Sequence, residues 1–129
     1  DRPLRRAARG GFARDGRRGV ICRVWRGWTT PANAGAYEAV VRGQVIPAIE
    51  ARRVPGFRHI DLMRREADGE AEFATIMWFD DMAAVEAFAG PDAEAAHVPA
   101  AARAVLARWD ERPAHYEVRD RRTQPPGAA

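Results

Sequence analysis

Three histidines, His59, His97 and His115, are the side chains of this chain that titrate nearest neutrality, so each is a candidate to accept or release a proton. Arg23, Arg26 and Tyr116 carry donors that can hold an anionic oxygen, and Trp25, Trp28 and Trp78 offer flat faces on which an aromatic ring stacks. Tyr37 either lines the same pocket as these groups or packs in the core. His59 and Asp61 stand two apart on a strand, where they form either an oriented imidazole–carboxylate pair or a polar contact in a seam between sheets. The absences are equally informative. All 21 basic residues are Arg, and Lys and Ser are missing altogether. That removes the serine nucleophile, the Schiff-base lysine and the phosphate-loop lysine. Cys22 stands alone, with no partner for an internal disulfide, and reads as an inert buried thiol. One thiol and three scattered histidines make no metal-ligand spacing.

With 129 residues, 47% of them apolar, the chain supports one domain and one core. No apolar run approaches the roughly 18 residues of a membrane span. Residues 1–19 hold seven Arg against two Asp with hardly an aliphatic side chain, and are expected to be disordered. Residues 20–119 hold twelve Arg against fifteen acids, so the folded part is mildly acidic and its basicity lies in the tails. A polyanion-binding footprint on the domain is therefore missing, and nucleic acid is not an expected partner. No apolar stretch follows the first charges as a signal peptide requires, so a cytoplasmic location is expected. Residues 120–129, ending in Pro-Pro-Gly-Ala-Ala, read as a flexible tail.

Between the tails the pattern changes every 10–20 residues. Ile21–Trp28 is β-branched and aromatic, the mark of a strand. Residues 34–52 follow a helical period through Tyr37, Val40, Val41, Val45 and Ile49, with Pro47 expected to kink the helix. Phe57–Arg65 and Ala71–Phe79 read as a hairpin turning at Ala67-Asp68-Gly69. Asp80 or Asp81 caps a short helix containing Met82, Val85 and Phe88, which Gly90-Pro91 closes. Ala100–Trp109 reads as a further helix with Trp109 on its core stripe, and Ala114–Arg119 as a last strand. Arg52-Arg53 and Arg64-Arg65 read as solvated ends of their elements. The order β-α-β-β-α-α-β is the split βαβ of an α+β, ferredoxin-like domain with a four-stranded antiparallel sheet. Its strands are apolar on both faces, Phe73, Thr75, Met77 and Phe79 opposing Ala74, Ile76 and Trp78. One copy has helix enough to cover one face, so a homodimer packed sheet against sheet is expected.

The Ile21–Trp28 strand, the lead-in Pro55-Gly56-Phe57, the run Thr75-Ile76-Met77-Trp78-Phe79-Asp80 before a Phe88-bearing helix, and Ala114–Val118 together resemble the antibiotic biosynthesis monooxygenase (ABM) family. The likeness spans about residues 20–119. It implies a dimeric α+β barrel in which each protomer holds an apolar pocket between sheet and helices. Relatives in that superfamily include oxygenases acting on phenolic polycyclic molecules without metal or flavin, haem-degrading enzymes, and isomerases. In the haem-degrading branch a strand-one Asn, a strand-three Trp and a helix His cooperate. Trp78 matches the Trp and His97 the His, but strand one offers Arg23, Trp25 and Arg26, and Asn33 lies beyond it. The resemblance thus implies a small aromatic or phenolic ligand and cofactor-independent monooxygenation. In that scheme His115 or His97 is base, Arg23, Arg26 or Tyr116 oxyanion partner, and Trp78 pocket wall, with Trp25, Tyr37 and His59 beside it. Three bland readings stand next to it: His115 as a strand-end residue bonded to backbone, His97 as a helix connector, and the Trp residues as core. The alternatives for the whole protein are a non-catalytic ligand-binding or structural dimer, and a haem-binding or haem-degrading protein.

Overall fold

The computed structural model describes residues 20–127; the expected disorder of residues 1–19 lies outside them. Strand β1 (Ile21–Thr29) runs antiparallel to β3 (Glu70–Phe79) over its whole length, from Ile21 opposite Phe79 to Thr29 opposite Ala71. A 3-10 turn, Pro31–Asn33, leads into α1 (Ala34–Val40), with the Thr30 hydroxyl accepting the Asn33 N–H at 3.2 Å. The expected single helix is interrupted before Pro47 rather than kinked at it. Val41–Val45 is π-helical, the Ile46 N–H donating to the Val41 carbonyl five residues back, and α2 (Ile46–Ala51) follows. The cause is local: Pro47 has no N–H for the Gly43 carbonyl and its ring would collide with it, so the preceding turn widens.

Gly56, at φ 83, turns the chain into β2 (Phe57–Ala67). Asp68 and Gly69, at φ 55 and 78, then form a two-residue turn into β3, as the Asp-Gly pair requires. Asp81, not Asp80, caps α3 (Met82–Ala89), its carboxylate accepting the Ala84 N–H at 2.9 Å. The next expected helix is cut short. Only α4 (Ala100–Arg103) is helical, and Arg108–Trp109 forms β4, a two-residue strand on β1. Strand β5 (Ala114–Glu117) pairs with the other half of the same edge of β1. The edge decides this: a helix reaching Trp109 would leave the Trp28 and Arg26 carbonyls unpaired, whereas here they accept the Ala107 and Asp110 N–H groups at 2.7 and 2.9 Å. Trp109 accordingly packs against the core from a strand, not from a helical stripe. The sheet has five strands in four positions, in order β2-β3-β1 with β4 and β5 end to end on the outer edge.

The pleat sorts the side chains as the alternation predicts. Ile21, Arg23, Trp25, Phe73, Thr75, Met77 and Phe79 face the helices, while Cys22, Val24, Trp28, Ala74, Ile76 and Trp78 face the open side. The helix side carries two core clusters. One gathers Ile21, Met77, Phe79 and Val85; the other gathers Tyr37, Val41, Phe73 and Leu106. On the open side Cys22, Val24, Ile76 and Trp78 are only half-buried, and Met63 and Tyr116 are exposed.

Gly56 joins the two layers at a point with no room. A Cβ there would lie 2.7 Å from that of Ala84, on a backbone already at φ 83. Gly56→Ala is expected to cost about 1–3 kcal/mol in urea unfolding. Gly35→Ala, in α1 with nothing within 4 Å, should cost nothing or stabilise by up to about 1 kcal/mol. Equal midpoints for the two variants would refute the packing described.

Candidate functional site

A cavity of about 110 Å³ lies between the sheet and the helices, in the gap between the two core clusters. Its floor is Arg23 and Trp25 of β1, Ile60 of β2, and Thr75 and Met77 of β3; its roof includes Tyr37, Val41, Val45, Ile46 and Ile49. Two local features open it. Thr75 interrupts the large side chains Phe73, Met77 and Phe79 on the inward stripe of β3, and the widened π-helical turn lies directly above. Residues 96–99 and Phe88 close the sides. His97 lines the cavity and is nevertheless exposed, so it stands at the mouth.

Arg23 dominates the electrostatics. It is 6% exposed, and among the described residues no carboxylate pairs with it. Its Nη1 donates to the Ala93 carbonyl at 2.6 Å and to His115 Nε2 at 2.9 Å, and its guanidinium lies 5.4 Å from the centre of the Phe88 ring. Burial pushes its pKa down to about 10, which leaves it charged at neutrality. A guanidinium has no lone pair to offer, so His115 Nε2 is the acceptor and the ring is neutral, its proton on Nδ1. Burial first, and then the Arg23 charge, hold His115 below its usual range, with Glu94 opposing them. Tyr37 is 2% exposed, and burial raises its phenol to about 12, so it stays protonated. The Trp25 indole N–H is satisfied outside the cavity by the Asp110 carbonyl at 2.7 Å. The site is thus an apolar chamber with one fixed positive charge, two hydroxyls (Tyr37 and Thr75) and an imidazole at its mouth.

The other sequence-derived candidates lie elsewhere. Trp78 is not a wall of this cavity: it is on the open face, where its indole N–H donates to Asp61 at 3.0 Å and His59 lies 5.5 Å away, ring to ring. Asp61 therefore serves Trp78 rather than orienting His59. Arg26, also on the open side, is paired with Asp110 at 2.9 Å, and Tyr116 is exposed there. Cys22 is half-buried on that face with its thiol pKa raised by burial, which keeps it unreactive. Arg52 has a partner the sequence did not suggest, donating to the Phe88 and Ala87 carbonyls at 2.9 and 3.3 Å, while Arg53, Arg64 and Arg65 are exposed as expected. Thr75 and Phe88 were missed as site residues. The sequence does carry a signal for Thr75, a small polar residue set among Phe73, Met77 and Phe79 on the inward stripe.

Among the described residues no group of three or more His, Cys, Asp or Glu could hold a metal ion, and no helix is long and apolar enough to cross a membrane. No family model and no curated protein matches the chain. Solved structures do. A candidate antibiotic biosynthesis monooxygenase from Bacillus cereus superposes with a TM-score of 0.54 at 14% identity, over 82% of this chain and 99% of that one. Another, from Caulobacter crescentus, gives 0.54 at 20% identity over 82% and 93%. The fold is that of the antibiotic biosynthesis monooxygenases. A Streptomyces coelicolor monooxygenase in complex with nanaomycin D shares it as well, with a TM-score of 0.53 at 20% identity over 88% of this chain and 96% of that one.

The Arg23–His115 contact has a measurable consequence. The folded state holds His115 below its ordinary pKa of 6.5, so the unfolded state binds more protons and stability falls as pH drops through that value. His115→Gln keeps an acceptor for Arg23 but does not titrate. Between about pH 8 and about pH 5.5 the wild type should lose stability relative to this variant. Parallel curves would overturn the assignment.

Proposed function

We propose that this protein binds a small planar aromatic molecule carrying an acidic oxygen and oxygenates it without a cofactor. The observation that carries the reading is a buried Arg23, paired with no carboxylate among the described residues, in the wall of an apolar chamber. Such a charge holds an anionic oxygen of the ligand beside it far better than water does. His97 is the base: it borders the cavity and its exposure lets the proton leave to solvent. Once the phenolic proton is gone, the ring carbon is electron-rich enough for O₂ to attack. One oxygen atom stays as a carbonyl and the other leaves as water, so 1-naphthol and O₂ give naphthoquinone and water. The fold shared with monooxygenase structures supports the reading. Haem is less well supported: a cavity of about 110 Å³, open at its mouth, is on the scale of the ~150 Å³ that holds one benzene ring, and a porphyrin would have to displace the roof.

Oxygen uptake with naphthols tests the reaction. His97→Ala should lower the rate by about 10²–10⁴-fold, and an unchanged rate removes His97 as base. Binding without oxygen consumption by the wild type would instead mark a ligand-binding dimer.

The dimer is part of the proposal. Val24, Ile76 and Trp78, half-buried on the open face beside exposed Met63 and Tyr116, suit a second copy packed sheet against sheet. Analytical ultracentrifugation should find two subunits for the wild type and one for Ile76→Arg. A folded wild-type monomer at working concentration would overturn this part.

A further inference from the structure

The donors that Arg23 leaves free say more about the ligand than the shape of the cavity does. A guanidinium carries five N–H groups in one plane. Both hydrogens of Nη1 are committed within the protein, to the Ala93 carbonyl and to His115 Nε2 at 2.6 and 2.9 Å. Among the described residues Nε and Nη2 find no acceptor. Neither of these nitrogens is sealed off as the buried, unpartnered Thr29 hydroxyl is, although the residue is only 6% exposed. Arg23 lines the cavity, so its uncommitted donors are the ones a ligand there can engage. The free Nε–H and Nη2–H lie parallel along one edge of the fork, at the spacing of the two oxygens of a carboxylate. A lone phenolate oxygen would take both through bent bonds, whereas a carboxylate gives each donor an oxygen of its own. The plane of the fork is also fixed, by its two bonds on one side and the Phe88 ring 5.4 Å from its carbon.

We propose that the ligand is an aromatic carboxylate with about one ring in the cavity, its two oxygens bound side-on to Nε and Nη2 of Arg23. This rests on the reading that the cavity takes a small aromatic molecule, and narrows it. The ring fills the apolar space between Met77 on the floor and Val45 and Ile46 above. A carboxylate arrives already ionised at neutral pH, so it neutralises the buried cation without help from a base. A hydroxyl on the same ring, directed to the mouth, meets His97 and the proposed chemistry.

Titration calorimetry with benzoate, benzamide, phenol and 1-naphthol tests this. Benzamide has the shape of benzoate without its charge, so benzoate should bind the wild type about tenfold tighter or more. Arg23→Gln should bring the two ligands to within about threefold of each other. Arg23→Lys, which keeps the charge but not the fork, should lose most of the preference. Should Arg23→Gln not fold, the wild-type comparison still decides. Equal binding of benzoate and benzamide, or phenol binding tighter than benzoate, overturns the carboxylate while the aromatic cavity stands. If neither benzoate, phenol nor 1-naphthol binds, the reading of the cavity itself fails.

Discussion

Arg23 is an ion taken out of water without a counter-ion among the described residues, and the site is built around that fact. Desolvating a charge costs several kcal/mol even after the surroundings relax. A carbonyl, a neutral imidazole and an aromatic face return part of this cost, each by accepting or facing positive charge. All three come from different elements. His115 is directly opposite Arg23 in the β1–β5 ladder, Ala93 follows α3, and Phe88 is near its end. The Phe88 ring is itself approached by two guanidiniums, that of Arg52, just past the end of α2, at 5.1 Å and that of Arg23 at 5.4 Å. The position is therefore over-determined by its surroundings. A charge maintained so firmly beside an apolar space is a reason to look for an anion.

The cavity exists because packing is relaxed at one level only. Above and below it the inward stripe of β3 carries Phe73 and Phe79, which are fully buried. Between them Thr75 leaves a gap, and the turn above cannot close onto it because Pro47 denies the helix its regular hydrogen bond. Protein interiors rarely keep such space open for nothing. Here a helix-breaking residue and a small polar residue, 28 positions apart in sequence, act on the same volume.

What the sequence disclosed follows from what is periodic. The alternation along β1 put Arg23 with Trp25 and Arg26 with Cys22 and Val24, and the structure keeps that partition. It could not say which set faced the helices, since both sets are largely apolar, and so Arg23 and Arg26 stood as equals. Trp78 was matched by residue type against a family pattern; its parity with Ala74 and Ile76 already set it apart from Phe73 and Phe79. The spacing of Ala102, Val105, Leu106 and Trp109 is helical, yet the helix stops after Arg103 because the bare edge of β1 recruits the backbone first. That competition is tertiary and leaves no trace in a local pattern. His97 lies in a loop, where no period operates, and only the folded chain shows that it reaches the cavity.

Strand β1 couples the two faces of the molecule. Its odd-numbered residues, Ile21 to Trp25, are core or cavity, and its even-numbered residues, Cys22 to Trp28, form the open face. A strand paired on both edges cannot shift one face without the other, since a one-residue slip exchanges them entirely. Pressure on Val24 is thus felt at Arg23 and Trp25 through a backbone held by β3 on one side and by β4 and β5 on the other. The Trp78–Asp61 hydrogen bond belongs to the same frame. It gives the open face a polar handle inside an apolar surface, the combination that suits a Trp to an interface. Covering that face would dry the Asp61 carboxylate and strengthen its bond to the indole. The register that aims Arg23 inward would then be held from both sides, which ties the geometry of the cavity to whatever lies across the sheet.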